Sequence, residues 1–275
     1  MMKLHWIYVL YVKDEYCNND IYEWHYKLLH KYSQYFNSIH IIISIDEQLY
    51  YDSDIIYRIK SRLIDTLNCN NIELTTEFNN PYYREGEFYK KYVYDQLENL
   101  QDSLIFFGHS KAITNPSNYE YIENTKLWVY SLYYLNLNWI EEMRRKLVDE
   151  PNYIFYGGLY FKDYRHNNIN NWFYSGSFHW VNPKRLLKYF KDNDVDPSQF
   201  FIDENEHLKR CAEVFVGIVP IECAAFHMDE HFNKYYEPFH NYGNELSYMY
   251  VDEQVKLYLN IWEYDELKIT MNELL

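Results

Sequence analysis

The stretch "DSLIFFGHSKAITNP" (Asp102–Pro116) decides how the chain is read. Four apolar residues, Leu104 to Phe107, run unbroken to Gly108, and His109, Ser110 and Lys111 follow at once. A short continuous apolar run bounded by turn residues is the pattern of a strand buried on both faces, as in a parallel sheet covered by helices. In an open α/β sheet, ligands gather outside the carboxyl ends of the strands. An imidazole and an ammonium group delivered at such an end are therefore candidates for chemistry.

The residues upstream supply the rest of that sheet. "LHWIYVLYV" (Leu4–Val12), "IHIIISID" (Ile39–Asp46) and "IELTTEF" (Ile72–Phe78) are β-branched and aromatic runs of strand length. Between them, "IYEWHYKLLHKYSQYF" carries Ile21, Trp24, Leu28, Leu29 and Tyr32 at helical spacing, and "DIIYRIKSRLIDTL" reads as a second helix. Pro81 precedes a third helix with Phe88, Tyr92, Val93 and Leu97 on its apolar side. Strands alternating with helices predict a mostly parallel, Rossmann-like sheet with helices on both faces. Residues 1–115 then look like a nucleotide-binding half.

Downstream, "NTKLWVYSLYYLNLNWIEEMRRKLVDE" (Asn124–Glu150) reads as one long helical stretch, and "PNYIFYGGLYF" (Pro151–Phe161) as a strand interrupted at Gly157 and Gly158. "WFYSGSFHWVNPKRLLKYF" (Trp172–Phe190) predicts an alternating strand, a break at Gly176 and a helix after Pro183. Alternation sends Trp172, Tyr174 and Gly176 to one face of that strand. No repeat and no Pro-, Gly- or Ser-rich linker divides the chain, so one α/β domain over residues 1–275 is expected.

Composition narrows the partners. The formal charge of −15 opposes a phosphate backbone over most of the surface, which argues against nucleic acid. Four cysteines stand far apart with no C-x-x-C pair, the usage of reduced thiols in a cytosol, and a cytoplasmic setting is expected. No apolar run approaches the ~20 residues of a membrane span. One residue in five is aromatic, with 33 Tyr; such side chains suit sugars, offering a flat apolar face with a polar edge. Among the acids of the C-terminal region, Leu257, Leu259, Ile261 and Trp262 are expected to cover the sheet or to form a homodimer contact.

Taken in order, "YEWHYKLLHKYSQYFNSIHIIISID", "YYREGEFYKKYV", "SLIFFGHSKAITNP", "KLWVYSLYYLNL", "WFYSGSFHWVNPKRL" and "RCAEVFVGIVP" resemble segments of a bacterial and viral family similar to GT-A-type glycosyltransferases. The resemblance spans roughly Leu4 to Pro220, with Ala112 where the family pattern has Gly. It implies a GT-A-like fold, a UDP- or GDP-sugar donor, and a glycan or other polar acceptor held by residues 116–275. In most such enzymes the fourth strand ends in Asp-x-Asp, which grips a divalent cation against the diphosphate. Here that place reads His109-Ser110-Lys111. A cationic side chain can meet the departing diphosphate instead. Lys111 is then the leaving-group electrophile, and His109 a phosphate donor or a ligand for Mn2+ or Mg2+ through its neutral ring, with His240 able to complete such a site.

The same resemblance assigns Tyr11 and Lys13, leaving the first strand, to the base; plain loop residues are the alternative. Arg84 and Glu85 open the helix after the third strand, where a guanidinium and free amides meet phosphate or ribose; a surface charge pair is the alternative. Asp46 either takes a ribose or uracil hydrogen bond or caps the helix that follows it. Tyr174, Ser175, Gly176, His179 and Trp180 are expected to wall the donor and acceptor sugars; an all-structural aromatic cluster is the alternative. Glu213 is the expected general base of an inverting transfer, with Asp203, Glu204 and Glu206 as rivals and Arg210 as its alternative ion-pair partner. His227 and His231 stand four apart, a spacing that can make a metal face on a helix. Two other classes stay open: a carbohydrate-binding or scaffolding protein that has lost catalysis, and a nucleotidyltransferase. The latter is disfavoured in a chain of 7 glycines without a Gly-rich phosphate loop.

Overall fold

The computed structural model describes residues 2–13, 20–79, 84–110, 122–158, 160–162, 172–174, 177–201, 215–226, 259 and 261–275. The strands are β1 (Lys3–Val12), β2 (Ser38–Ile45), β3 (Ile72–Phe78), β4 (Ser103–His109), β5 (Phe155–Gly157), β6 (Tyr160–Lys162), β7 (Trp172–Tyr174), β8 (His179–Val181) and β9 (Ala224–Phe226). The helices are α1 (Asp20–Ser33), α2 (Glu47–Tyr50), α3 (Ser53–Thr66), α4 (Arg84–Tyr92), α5 (Ile122–Leu137), α6 (Ile140–Arg144), α7 (Pro183–Asp192) and α8 (Ile261–Leu274).

Seven strands form one sheet in the order β3-β2-β1-β4-β8-β5-β9, and β6 pairs with β7 separately. β1, β2, β3 and β4 are mutually parallel, as their alternation with helices predicts. Only β8 runs against its neighbours among these seven, pairing antiparallel with both β4 and β5, while β9 is again parallel to β5. From β1 the chain winds one way to β2 and β3 and the other way to β4, so a topological switch point lies between β1 and β4. That is the place where open α/β sheets leave a crevice for ligands.

The sheet is buried on both faces, which is why its central strands are nearly all apolar. Alternate residues of β1 supply two cores. Trp6, Tyr8 and Leu10 pack with Leu28 and Leu29 of α1, Ile59 and Leu63 of α3, and Leu127 and Tyr134 of α5. Ile7 and Val9 pack on the opposite side with Phe88 and Tyr89 of α4 and Leu186 and Phe190 of α7. Each large apolar side chain so buried contributes roughly 1.5–3 kcal/mol. Two tyrosines of the first core pair their hydroxyls with each other and with a histidine. Tyr133 Oη donates to Tyr8 Oη at 2.8 Å, and both oxygens lie 2.9 Å from His25 Nδ1. Burial, and then the neighbouring Tyr133, hold the Tyr8 phenol far above its ordinary pKa, so it is neutral.

The long helix expected over Asn124–Glu150 is three pieces. α5 stops at Leu137, α6 follows, and Arg145–Asp149 make a wider π turn. The Asn136 carbonyl is engaged by the indole Nε1 of Trp180 at 2.9 Å, and Tyr32 Oη donates to Asn138 Oδ1 at 2.8 Å, so tertiary partners sit at the point where the helix ends. The strand expected over Pro151–Phe161 likewise divides at Gly157 and Gly158, β5 joining the main sheet and β6 the small one. A Cβ on Gly157 would stand 2.6 Å from the Tyr174 ring, so only glycine admits that approach.

The C-terminal α8 packs against α5 and sends Leu267 and Met271 into the first core; Leu259 just before it is buried too. Trp262 turns outward, 70% exposed.

Candidate functional site

The parallel strands end in a row. In register, Tyr11 stands beside Ser44, and Ile45 beside Phe78, so the next residues, Asp46 and Asn79, leave the sheet side by side. The Asn79 amide hydrogen-bonds back to the Ile45 carbonyl (2.8 Å), and that of Asp46 to the Val12 carbonyl (3.3 Å), which keeps both residues tied to the strand ends. Asp46 occupies the N-cap position of α2, yet its side chain makes no cap hydrogen bond. Its Oδ1 instead accepts from Tyr11 Oη at 2.8 Å and from Asn79 Nδ2 at 2.8 Å. Asn79 Nδ2 also donates to Tyr11 Oη at 3.0 Å, and Ser44 Oγ donates to Asn79 Oδ1 at 3.4 Å. The result is a closed polar knot of Tyr11, Asp46, Asn79 and Ser44.

The knot is tied to the far side of the switch point through Ser110. Its amide donates to the Val9 carbonyl at 2.9 Å, and its Oγ accepts from the Tyr11 amide at 2.8 Å. Tyr22 of α1 closes the other flank. Its hydroxyl donates to the Tyr11 carbonyl (3.1 Å) and accepts from the Lys13 amide (3.2 Å), while the Lys13 side chain is exposed.

His109, half-buried, ends β4 at the same edge. Because β8 is reversed, the chain enters it where β4 leaves: Phe107 pairs with His179, so Ser177 and Phe178 come down beside Gly108 and His109. The Phe178 ring lies 5.8 Å from that of His109, and a Cβ on Gly108 would meet it at 3.0 Å. Ser177 is fully buried with φ at 60°, in the left-handed region, and its Oγ has no hydrogen-bond partner among the described residues. Backbone strain of this kind costs of order 1–3 kcal/mol and tends to persist at functional sites.

Of the residues singled out from sequence, the structure brings Tyr11, Asp46 and His109 to this edge. Asn79 and Ser177 join them without having been anticipated; Asn79 is marked in the sequence only as the first polar residue after β3. Arg84 begins α4 with Glu85 behind it, and their helical position is all that is described of them. Lys111, Ser175, Gly176, Glu213 and His240 lie outside the described residues, as do Asp203, Glu204, Glu206, Arg210, His227 and His231.

The sugar wall expected at Tyr174, His179 and Trp180 is corrected. All three are fully buried, and one polar atom of each meets a partner within the protein. Tyr174 Oη donates to the Ala225 carbonyl (3.0 Å), Trp180 Nε1 to that of Asn136 (2.9 Å), and His179 Nε2 is 3.0 Å from Tyr89 Oη. Burial pushes the His179 imidazole down to about 3, against a smaller opposing hydrogen bond to the Ser177 backbone. A neutral ring inside the second core supports the fold from within.

Among the described residues no group of three His, Cys, Asp or Glu side chains is placed to hold a metal ion, so these residues alone do not fit a divalent-cation site. No helix among them is long and apolar enough to cross a membrane. No protein-family model matches the chain, and no curated protein matches it.

Proposed function

We propose that the chain is a nucleotide-sugar-dependent glycosyltransferase of GT-A-like fold, moving a sugar from a UDP- or GDP-sugar to a hydroxyl of a glycan or other polar acceptor, with inversion. The observation that carries the reading is the Tyr11–Asp46–Asn79 knot. It presents a half-buried carboxylate at the carboxyl ends of the parallel strands, beside the switch point. A carboxylate and a phenol held there suit the donor groups of a nucleoside.

In the reaction so read, the acceptor oxygen attacks the anomeric carbon as the bond from that carbon to the diphosphate oxygen breaks. The acceptor proton passes to Glu213, and the charge gathering on the diphosphate is met by Lys111 and His109. Tyr11, Lys13 and Asp46 hold the nucleoside, Arg84 and Glu85 the ribose–phosphate, and Ser175 and Gly176 border the sugar. The proposed setting is the cytoplasm.

Thermal unfolding in the presence of UDP, GDP, CDP and ADP, with and without manganese, tests the reading. A ligand selective for the folded state, at a hundredfold its Kd, adds about 2.7 kcal/mol and raises the melting temperature by roughly 5–10 °C. Lys111→Ala should keep that fold and lower turnover of the sugar nucleotide by at least about a hundredfold. No shift with any nucleotide defeats the proposal. A shift without hydrolysis or transfer by the native protein favours a carbohydrate-binding relative that has lost catalysis.

A further inference from the structure

We infer that Asn79 is the positioning residue of this nucleotide site, fixing Asp46 so that one carboxylate oxygen is kept for a hydrogen-bond donor of the nucleoside. The inference rests on the reading above and deepens it. Asn79 is buried, and both ends of its amide are spoken for. Ser44 Oγ donates to Oδ1, which sets the sense of the amide and turns Nδ2 toward Tyr11 Oη and Asp46 Oδ1. Asp46 Oδ1 thus receives two donors, Tyr11 and Asn79. Oδ2 has no hydrogen bond among the described residues, and the side chain does not cap α2 although Asp46 holds its N-cap position.

A residue that gives up capping forgoes that stabilisation of the helix. Here the carboxylate is instead oriented by two donors, and an ionised carboxylate accepts only. The ligand group it selects is therefore an O–H or N–H. Two parts of a nucleotide offer one: the ribose diol, common to all four diphosphates, and the N–H groups of the base, of which the ring N–H belongs to uracil and guanine and the exocyclic amino group to guanine, adenine and cytosine. Among the described residues, the titratable and charged groups around Asp46 are Tyr11 of β1, Tyr22 of α1 behind it, and the exposed Lys13 and Glu47 at the adjoining chain positions.

The experiment is calorimetric titration of the full chain with UDP and GDP from about pH 5.5 to about pH 8.5, for the native protein and Asn79→Asp. The variant keeps the shape but sets two carboxylates where an amide nitrogen and an oxygen stand 2.8 Å apart. Such a pair shares one proton and releases it only at a raised pH. The second ionisation of the terminal phosphate, at about pH 6, changes the affinity of both proteins alike, so the ratio of variant to native is read at each pH. The variant should bind within about threefold of native at the acid end, where the shared proton replaces the amide hydrogen, and lose about tenfold or more at the alkaline end, where repulsion drives the carboxylates apart.

An affinity equal to native throughout, or a loss that does not change with pH, gives Asn79 a merely structural role and overturns the inference while leaving the glycosyltransferase reading intact. Absence of binding by the native protein overturns both. Should Asn79→Asp fail to fold, Ser44→Ala, which releases the amide to rotate, should raise the Kd by roughly threefold to tenfold with little change in melting temperature; an unchanged Kd overturns the inference. N3-methyl-UDP and 2′,3′-dideoxy-UDP separate the sources, since the first loses affinity if the ring N–H is the donor and the second if the ribose is. Native affinity retained for both overturns the role given to Asp46 Oδ2.

Discussion

Asp46 and Asn79 leave adjacent strands as neighbours although 33 positions separate them in the chain. Tyr11 and Asp46 are legible as candidates because they stand at the carboxyl ends of obvious buried strands, where ligands of open α/β sheets gather. Asn79 is not, since in a chain rich in Asn a single amide before Asn80-Pro81 carries no local signal; only the register of three strands groups it with Asp46. His179 was misjudged in the opposite sense. A histidine in an aromatic strand suggests a ligand wall, whereas its ring is a neutral part of the core. Its depressed pKa has a consequence for acid stability. The unfolded chain binds a proton at His179 near pH 6.5 and the folded protein only near pH 3, so stability is complete above about pH 6.5 and falls on acidification towards pH 3. The slope from this one group is about 1.4 kcal/mol for each pH unit within that window. Denaturant unfolding at a series of pH values should show that slope, and His179→Met, though less stable at neutral pH, should be flatter by that amount. Equal slopes would assign the acid lability to other groups, among them His5, whose pKa burial, and then His40, lower to about 4.

At the scale of elements, the parallel half could be read almost directly, because β-branched runs and helical spacing agree with each other from Leu4 to Phe107. The second half could not. Alternation in "WFYSGSFHW" implies one covered and one open face. Trp172 and Tyr174 share a face and are both buried, with Trp172 Nε1 donating to the Val219 carbonyl at 2.8 Å, so what covers that face is the protein's own residues 215–219 and not a ligand. Periodicity cannot tell a ligand from a second layer of protein. The Gly157–Tyr174 contact ties β5 of the main sheet to β7 of the small one, so the joint between the two sheets tolerates no side chain. Gly157→Ala should lower stability by about 1–3 kcal/mol, the usual result of overpacking a core, and near-UV circular dichroism should show the tyrosine environment changing. A variant as stable as the native protein would mean that the Tyr174 ring yields without cost.

At the scale of the molecule, one sheet serves two cores, and β1 contributes to both through alternate residues. Neither layer can be lost without exposing the other side of the same strands. Leu29→Ala in the first core and Phe107→Ala in the second should therefore each destabilise the fold by about 2–5 kcal/mol and shift one and the same unfolding transition, followed by tryptophan fluorescence and by far-UV circular dichroism. Two separable transitions would show that the layers melt independently. The sheet order also bears on biosynthesis. β4 has β1 on one side, but its other neighbour, β8, is about 70 residues further along, and a ribosome adding about 5–20 residues per second needs several seconds to deliver it. During that interval a strand whose residues Leu104 to Phe107 are all apolar offers an open edge to chaperones, or to another nascent chain emerging beside it.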